Sequence, residues 1–244
     1  MYVTYLLIGI NAVVYLLIMT QNLDVNRFIY NQQEIRYNKE WYRMITSGFM
    51  HMAIFHIAFN MYALYSFGLY LEQSFQYYFG PDLGRIIYLL VYILSILGGS
   101  VYCYFAKSRE ANYLALGASG GVFGIVYIAV LMSPEIGIGL FLIPVPIAGW
   151  ILGIIITLGS IILSLLPRAG NVSHEGHLGG ALSGVLIMFI LFSLLGAQFA
   201  QKSLYFMYFG VLPAAIYLIA QVAVPSKVDD LRNWFQEKLP KGDD

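Results

Sequence analysis

Charge is what this chain lacks most. Only 11% of its 244 residues are Asp, Glu, Lys or Arg, against about 25% in an ordinary soluble domain, too few to wet the surface of a soluble fold of this size. The 13 basic and 13 acidic residues cancel to a formal net charge of 0. No Lys/Arg cluster is dense enough to hold a nucleic-acid backbone, so nucleic acid is excluded as a partner. Cysteine is almost absent. Cys103 stands alone, which rules out an internal disulfide, a thiolate metal cluster or a redox pair and leaves an apolar packing residue. The opening stretch, residues 2–20, has neither the basic flank nor the small-residue cleavage site of a signal peptide, and reads as a retained first span. Neither end carries a lipidation motif.

What fills the chain instead is apolar surface: 59% of the residues are hydrophobic and the mean hydropathy is +0.73. Apolar runs fall at about 2–19, 52–71, 83–105, 118–132, 147–166 and 178–195, each read as a helix crossing a hydrocarbon core about 30 Å thick. A further charge-free run at 204–224 adds a seventh, C-terminal transmembrane helix that Pro213 kinks without forbidding. The fold expected is therefore an all-α polytopic membrane protein. Its parts are a six-helix catalytic core at 1–196, the additional span at 197–225, and a short polar or amphipathic tail at 226–244.

Between the first two runs, basic and acidic residues alternate with Phe28, Tyr30, Trp41 and Tyr42, a mixture suited to a loop lying in the headgroup zone. Turns are marked by Asp82 with Arg85, by residues 107–110 and by residues 167–170. The Pro- and Gly-rich stretch 134–146 reads as a connection dipping at the interface, with Pro146 in the first turn of the next helix. Glycines spaced by four, Gly117 with Gly121, Gly120 with Gly124 and Gly180 with Gly184, suit close helix packing. They predict that the helix opening near Ser119 packs on the one opening near His177.

Ser119 and His177 each stand at the start of an apolar run. A serine hydroxyl becomes a useful nucleophile once a base takes its proton, and neutral histidine suits that work. With no carboxylate read at comparable depth within the spans, the arrangement is a dyad without the orienting acid of a triad. Four residues separate His56 from Asn60, which puts them on one helix face, whereas His51 projects about 140° away on the same helix. Both His56 and Asn60 are able to donate hydrogen bonds to an oxygen that gains charge during acyl transfer. The four histidines, His51, His56, His174 and His177, also raise a metal reading. However, His174-Glu175-Gly176-His177 is one residue short of the zinc-helix spacing, and no metal or other cofactor is assigned.

Taken in order, Trp41-Tyr42-Arg43, the run from His51 to Asn60, Gly117-Ala118-Ser119-Gly120 and His177-Leu178-Gly179-Gly180-Ala181-Leu182-Ser183-Gly184 resemble the motifs of the rhomboid family of intramembrane serine proteases, over about residues 1–196. The resemblance implies a six-helix bundle in which Ser119 is the nucleophile and His177 the general base. His56, Asn60 and the Ser119 backbone amide would hold the oxyanion. It implies structural roles for Trp41, Arg43, His51, Gly117, Gly120, Gly180 and Gly184. Phe123 stands where bacterial relatives often carry a tyrosine stacked on the base. The implied activity is endoproteolysis of transmembrane-helix substrates near the membrane surface, with those substrates and the lipid bilayer as partners and the oligomeric state unassigned. The expected location is a prokaryotic cell membrane with the active site opening toward the extracytoplasmic side, an orientation that runs against the positive-inside tendency. The alternative is a non-proteolytic rhomboid-like protein that binds transmembrane helices for quality control or trafficking, but such relatives usually lose the serine or the histidine. A transporter lacks support, because buried carboxylates and symmetric broken helices are not read in the sequence.

Overall fold

A computed structural model of the chain describes residues 2–140, 143–166, 173–195 and 200–238. The turn read at 167–170 and the chain end at 239–244 lie outside the described residues. In chain order the helices are α1 (Val3–Met19), the short α2 (Gln32–Tyr37) and α3 (Arg43–Thr46), α4 (Ile54–Phe79), α5 (Pro81–Ala106), α6 (Ser119–Met132), α7 (Gly149–Leu165), α8 (His174–Leu195), α9 (Gln201–Phe206), α10 (Leu212–Ala223) and α11 (Pro225–Lys238). Two small antiparallel ladders pair β1 (Tyr30–Asn31) with β2 (Leu114–Ala115), and β3 (Gly137–Leu140) with β4 (Ile143–Ala148).

Helix is the expected answer to so little charge, because backbone in hydrocarbon must satisfy its own polar groups. Among the described residues, α4, α5, α8 and the continuous run Gln201–Ala223 are long and apolar enough to cross a membrane, while α1, α6 and α7 are apolar but shorter. The run Gln201–Ala223 accommodates Pro213 by way of a π-turn at Met207–Val211, which joins α9 to α10 and relaxes the hydrogen-bond ladder just before the proline.

At the center stands α6. Its 14 residues are buried almost all round, the mark of a helix with neighbors on every side, and α4, α5, α7 and α8 surround it. Glycine lets these neighbors close in. A Cβ on Gly180 would run into the Gly120 carbonyl, and one on Gly184 would stand 2.7 Å from the Gly124 Cα. On the other flank, a Cβ on Gly99 would stand 2.5 Å from the Gly176 carbonyl oxygen. Backbone thus rests on backbone across α5, α6 and α8.

One connection differs from the sequence reading. Within the stretch 134–146, Gly137–Leu140 and the start of β4 pair as an antiparallel ladder, and Pro146 sits in β4 rather than in a helical first turn, next to a register irregularity between Ile138 and Leu140. A two-stranded ladder tolerates a residue without an amide hydrogen at such an irregularity. The carboxylate expectation is also corrected. Glu72, in α4, is fully buried because it caps α1: Val3 N donates to its Oε1 at 2.8 Å, and Thr4 N and Thr4 Oγ1 donate to its Oε2 at 2.9 and 2.8 Å. Glu175, in the first turn of α8, is buried as well.

Candidate active site

The long first loop prepares the position of Ser119. Its β1 strand pairs with β2, with Tyr30 opposite Ala115 and Asn31 opposite Leu114, which braces the segment leading into α6. Arg43 locks the loop from inside. Its Nε donates to Glu40 at 2.5 Å, and its Nη1 reaches the carbonyls of Asn26 and Ile29 at 2.7 and 3.1 Å. Trp41 is half exposed and packs on Tyr104, ring centroids 5.5 Å apart. The Gly117 amide donates to the Ser47 carbonyl at 2.9 Å. From there the chain turns with Gly117 at φ 119°, a conformation that glycine adopts without strain.

Ser119 is consequently the first residue of α6, where helix amides have no intrahelical acceptor and the helix dipole favors negative charge. His177 lies in the first turn of α8. Its amide donates to the Ser173 carbonyl at 3.0 Å, while the Ser173 Oγ accepts the Gly176 amide at 2.9 Å. Helix α8 thus begins four residues before the apolar run at 178–195, because Ser173 caps it. Ser119 and His177 are each 9% exposed and line the same cavity of about 40 Å³, room for a water or two. Phe123, one turn along α6 from Ser119, stacks on the His177 ring with centroids 4.5 Å apart and planes 25° apart. His174 meets the same ring edge-on at 5.5 Å.

His56 packs against the Gly117 backbone. A Cβ there would lie 2.6 Å from its Cε1 and 2.7 Å from its Nε2. His51 is the residue that the helical projection misplaces. Helix α4 starts only at Ile54, so His51 sits in the preceding loop and folds back until its ring lies 5.1 Å from that of His56. Its Nε2 accepts the Ala118 amide at 3.3 Å and faces Asn60 Nδ2 at 3.4 Å. Burial, reinforced by His56, lowers the His51 pKa to about 4, so the ring stays a neutral acceptor that ties the start of α4 to the start of α6. The Asn60 amide also donates to the His56 carbonyl at 2.9 Å, which occupies both of its hydrogens. Among the described residues no three of His, Cys, Asp and Glu gather in metal-binding range.

Sequence reasoning passed over the polar cluster behind His177. Lys107 Nζ pairs with Glu175 Oε1 at 2.7 Å and with Glu110 Oε1 at 3.0 Å. Beside it the Tyr113 hydroxyl meets Ser173 Oγ at 2.5 Å, and Cys103 Sγ lies 3.5 Å from both oxygens. The available signal was an acid placed at the very start of an apolar helix, which demands a counter-ion.

Comparison with known proteins bears on the family of the whole chain. The rhomboid domain model matches residues 38–194. RHOMBOID-like protein 12, mitochondrial, of Arabidopsis thaliana is 32% identical over 180 residues, 67% of this chain and 50% of its own length. Rhomboid protein 1, mitochondrial, of Saccharomyces cerevisiae is 30% identical over 146 residues, 59% of this chain and 40% of its own. Rhomboid protease GluP of Bacillus subtilis is 27% identical over 194 residues, 74% of this chain and 33% of its own. The chain thus matches half or less of the length of these relatives. Its apolar helices and these similarities make it an integral membrane protein. With mitochondrial proteins beside a bacterial one, they do not support the expectation of a prokaryotic membrane.

Proposed function

We propose, because the chain belongs to the rhomboid family, that it is an intramembrane serine endopeptidase acting on transmembrane helices through a Ser119–His177 dyad. The observation that carries this reading is the shared cavity: a serine at the start of α6 and a histidine in the first turn of α8 face one small water-sized space. In this reading α1, α4, α5, α6, α7 and α8 form the six-helix catalytic core, and the α9–α10 run is a seventh span.

His177 takes the Ser119 proton as Oγ attacks a peptide carbonyl, forming a tetrahedral oxyanion. The Ser119 amide and His56 hold that oxygen, and Asn60 joins them by turning its amide away from His51. His177 then protonates the leaving amine, which departs as the acyl-enzyme forms. A water deprotonated by His177 attacks the ester, and the proton returns to Ser119 as the acid product leaves. Phe123 holds the imidazole plane by stacking on it, which covers the orienting part of what an acid does in a triad.

Depth follows from length. The 14 residues of α6 rise about 21 Å, about 9 Å short of the hydrocarbon thickness. With its far end at one face, Ser119 lies sunk below the other, reached by water through the mouth of the cavity it shares with His177. On the family's orientation that mouth opens on the extracytoplasmic side.

The deciding experiment is cleavage of a tagged model transmembrane substrate in liposomes by wild type, Ser119→Ala and His177→Ala at equal yield. Loss of a defined cut in both variants is expected, and unchanged cutting would reject the dyad. The rival reading is a silent helix-binding protein. Retention of both Ser119 and His177 counts against it, and it gains if no substrate is cut and a fluorophosphonate fails to label Ser119.

A further inference from the structure

The apolar start of α8 is an expensive place for a carboxylate, yet Glu175 lies there, two residues before His177, with its side chain 6% exposed. Its counter-ion, Lys107, is 7% exposed and comes from the cap of α5. Each charge suits its helix end, the anion at the start of α8 and the cation at the close of α5. A surface pair of this kind would be loose, whereas this one is buried, 2.7 Å long, and anchored further: the Lys107 amide donates to the Cys103 carbonyl at 2.8 Å, and Glu110 holds Nζ from the other side. The second tie runs in parallel. Tyr113, whose amide donates to the Glu110 carbonyl, meets Ser173, and Ser173 accepts the amide of His177 itself. Both ties link the segment leading into Ser119 to the turn that carries His177.

We propose that the Lys107–Glu175 ion pair is the positioning device for the base: it sets the rotation and height of the first turn of α8, and so the placement of His177 relative to Ser119. This rests on the protease reading above. Lys107 and Glu175 touch neither substrate nor reacting atoms and act only through the backbone of α8. Glycine packing along Gly180 and Gly184 fixes how close α8 comes to α6. Such smooth contacts resist sliding weakly, and a directional bond at the helix start supplies what they lack.

Removing one partner of a buried pair strands the other charge and risks the fold, whereas replacing both by apolar residues is commonly neutral for stability. The decisive protein is therefore the full chain with Lys107→Met and Glu175→Leu together, compared with Lys107→Arg, Glu175→Gln and wild type. In liposomes, kcat and KM are measured for a cleaved transmembrane substrate, with the fluorophosphonate labeling rate of Ser119 and thermal unfolding in parallel.

The double variant should unfold at a temperature close to wild type, keep KM within about twofold, and lose roughly 10- to 100-fold in both kcat and labeling rate, the scale of a reacting group misplaced by up to about 1 Å. Lys107→Arg and Glu175→Gln, which keep a donor and an acceptor at these positions, should stay within about fivefold of wild type. A double variant that folds and retains wild-type kcat overturns the proposal, and so does a loss confined to KM. If wild type is neither labeled nor active, the protease reading itself falls, which is a different result from a labeled wild type matched by its variants.

Discussion

Gly117 and Gly120 flank Ser119 in one motif, and the structure gives them very different burdens. An alanine Cβ at Gly117 would stand 2.6 Å from His56 Cε1 and 2.7 Å from its Nε2, where carbon atoms normally keep about 3.5–4.0 Å, so the imidazole must retreat by about 1 Å. The φ of 119° adds about 1–3 kcal/mol of backbone strain, and overpacking adds about 1–3 kcal/mol. Gly117→Ala should therefore destabilize the protein by about 2–6 kcal/mol. In the molecules that stay folded, a displaced oxyanion donor should lower kcat by about 10²-fold or more. At Gly120 a Cβ would meet Gly176 O and Ile96 Cα at 3.6 Å and Ser95 O at 3.7 Å, ordinary contact, and alanine favors the helix by about 0.5–1 kcal/mol. Gly120→Ala should thus unfold within about 1 kcal/mol of wild type and cleave within about threefold. Thermal unfolding in detergent and turnover per folded molecule in liposomes test the pair. A reversed ranking, or equal losses at both positions, would refute the steric reasoning.

Phe123→Tyr should cleave within a few-fold of wild type, since the ring still covers His177; Phe123→Ala should lose about tenfold or more in kcat by freeing the imidazole plane, about 1.4 kcal/mol of positioning. His51 binds its proton near pH 4 in the fold and near 6.5 when unfolded. The unfolded chain therefore gains protons first as pH falls, and His51 withdraws about 3 kcal/mol of stability between about pH 6.5 and 4. Unfolding free energies of wild type and His51→Gln measured from pH 7 to 4 should diverge in slope by about 1.4 kcal/mol per pH unit at most, and parallel curves would sink that assignment. Glu72→Ala, which strands the Val3 and Thr4 amides, should cost about 2–5 kcal/mol, and Glu72→Gln, which keeps one acceptor oxygen, clearly less. Substrates loosened by glycine near the cut should be cleaved faster than poly-leucine helices inserted equally well.

Hydropathy made the helices legible because a membrane leaves the chain few alternatives, and it singled out Ser119 and His177 as candidates because each stands where polarity gives way to an apolar run. Boundaries were less visible. Helix α4 runs on to Phe79, well past residue 71, where the charged Glu72 ends the apolar run in the sequence but finds its partners inside the protein. Helical geometry misplaces His51, because the backbone at Ala53 is extended and lets the ring fold back on His56. The Lys107–Glu175 pair was invisible for a different reason. It joins residues far apart in the chain, and neither charge announces its partner. The β3–β4 ladder was hidden by its prolines, which argue against strands except at ladders as short and irregular as this one.

The Glu72 cap also orders events in time. During synthesis α1 emerges and inserts well before its capping carboxylate exists, since the acceptor for the Val3 amide lies 69 residues downstream. Until α4 arrives, those two amides have only interfacial water, and when it does, its carboxylate pins the first helix against the fourth at the end of α4 remote from His56. Helix α1 is thus made before the residue that secures it, and a ribosome paused before residue 72 holds a nascent chain in which α1 is threaded but not yet fastened.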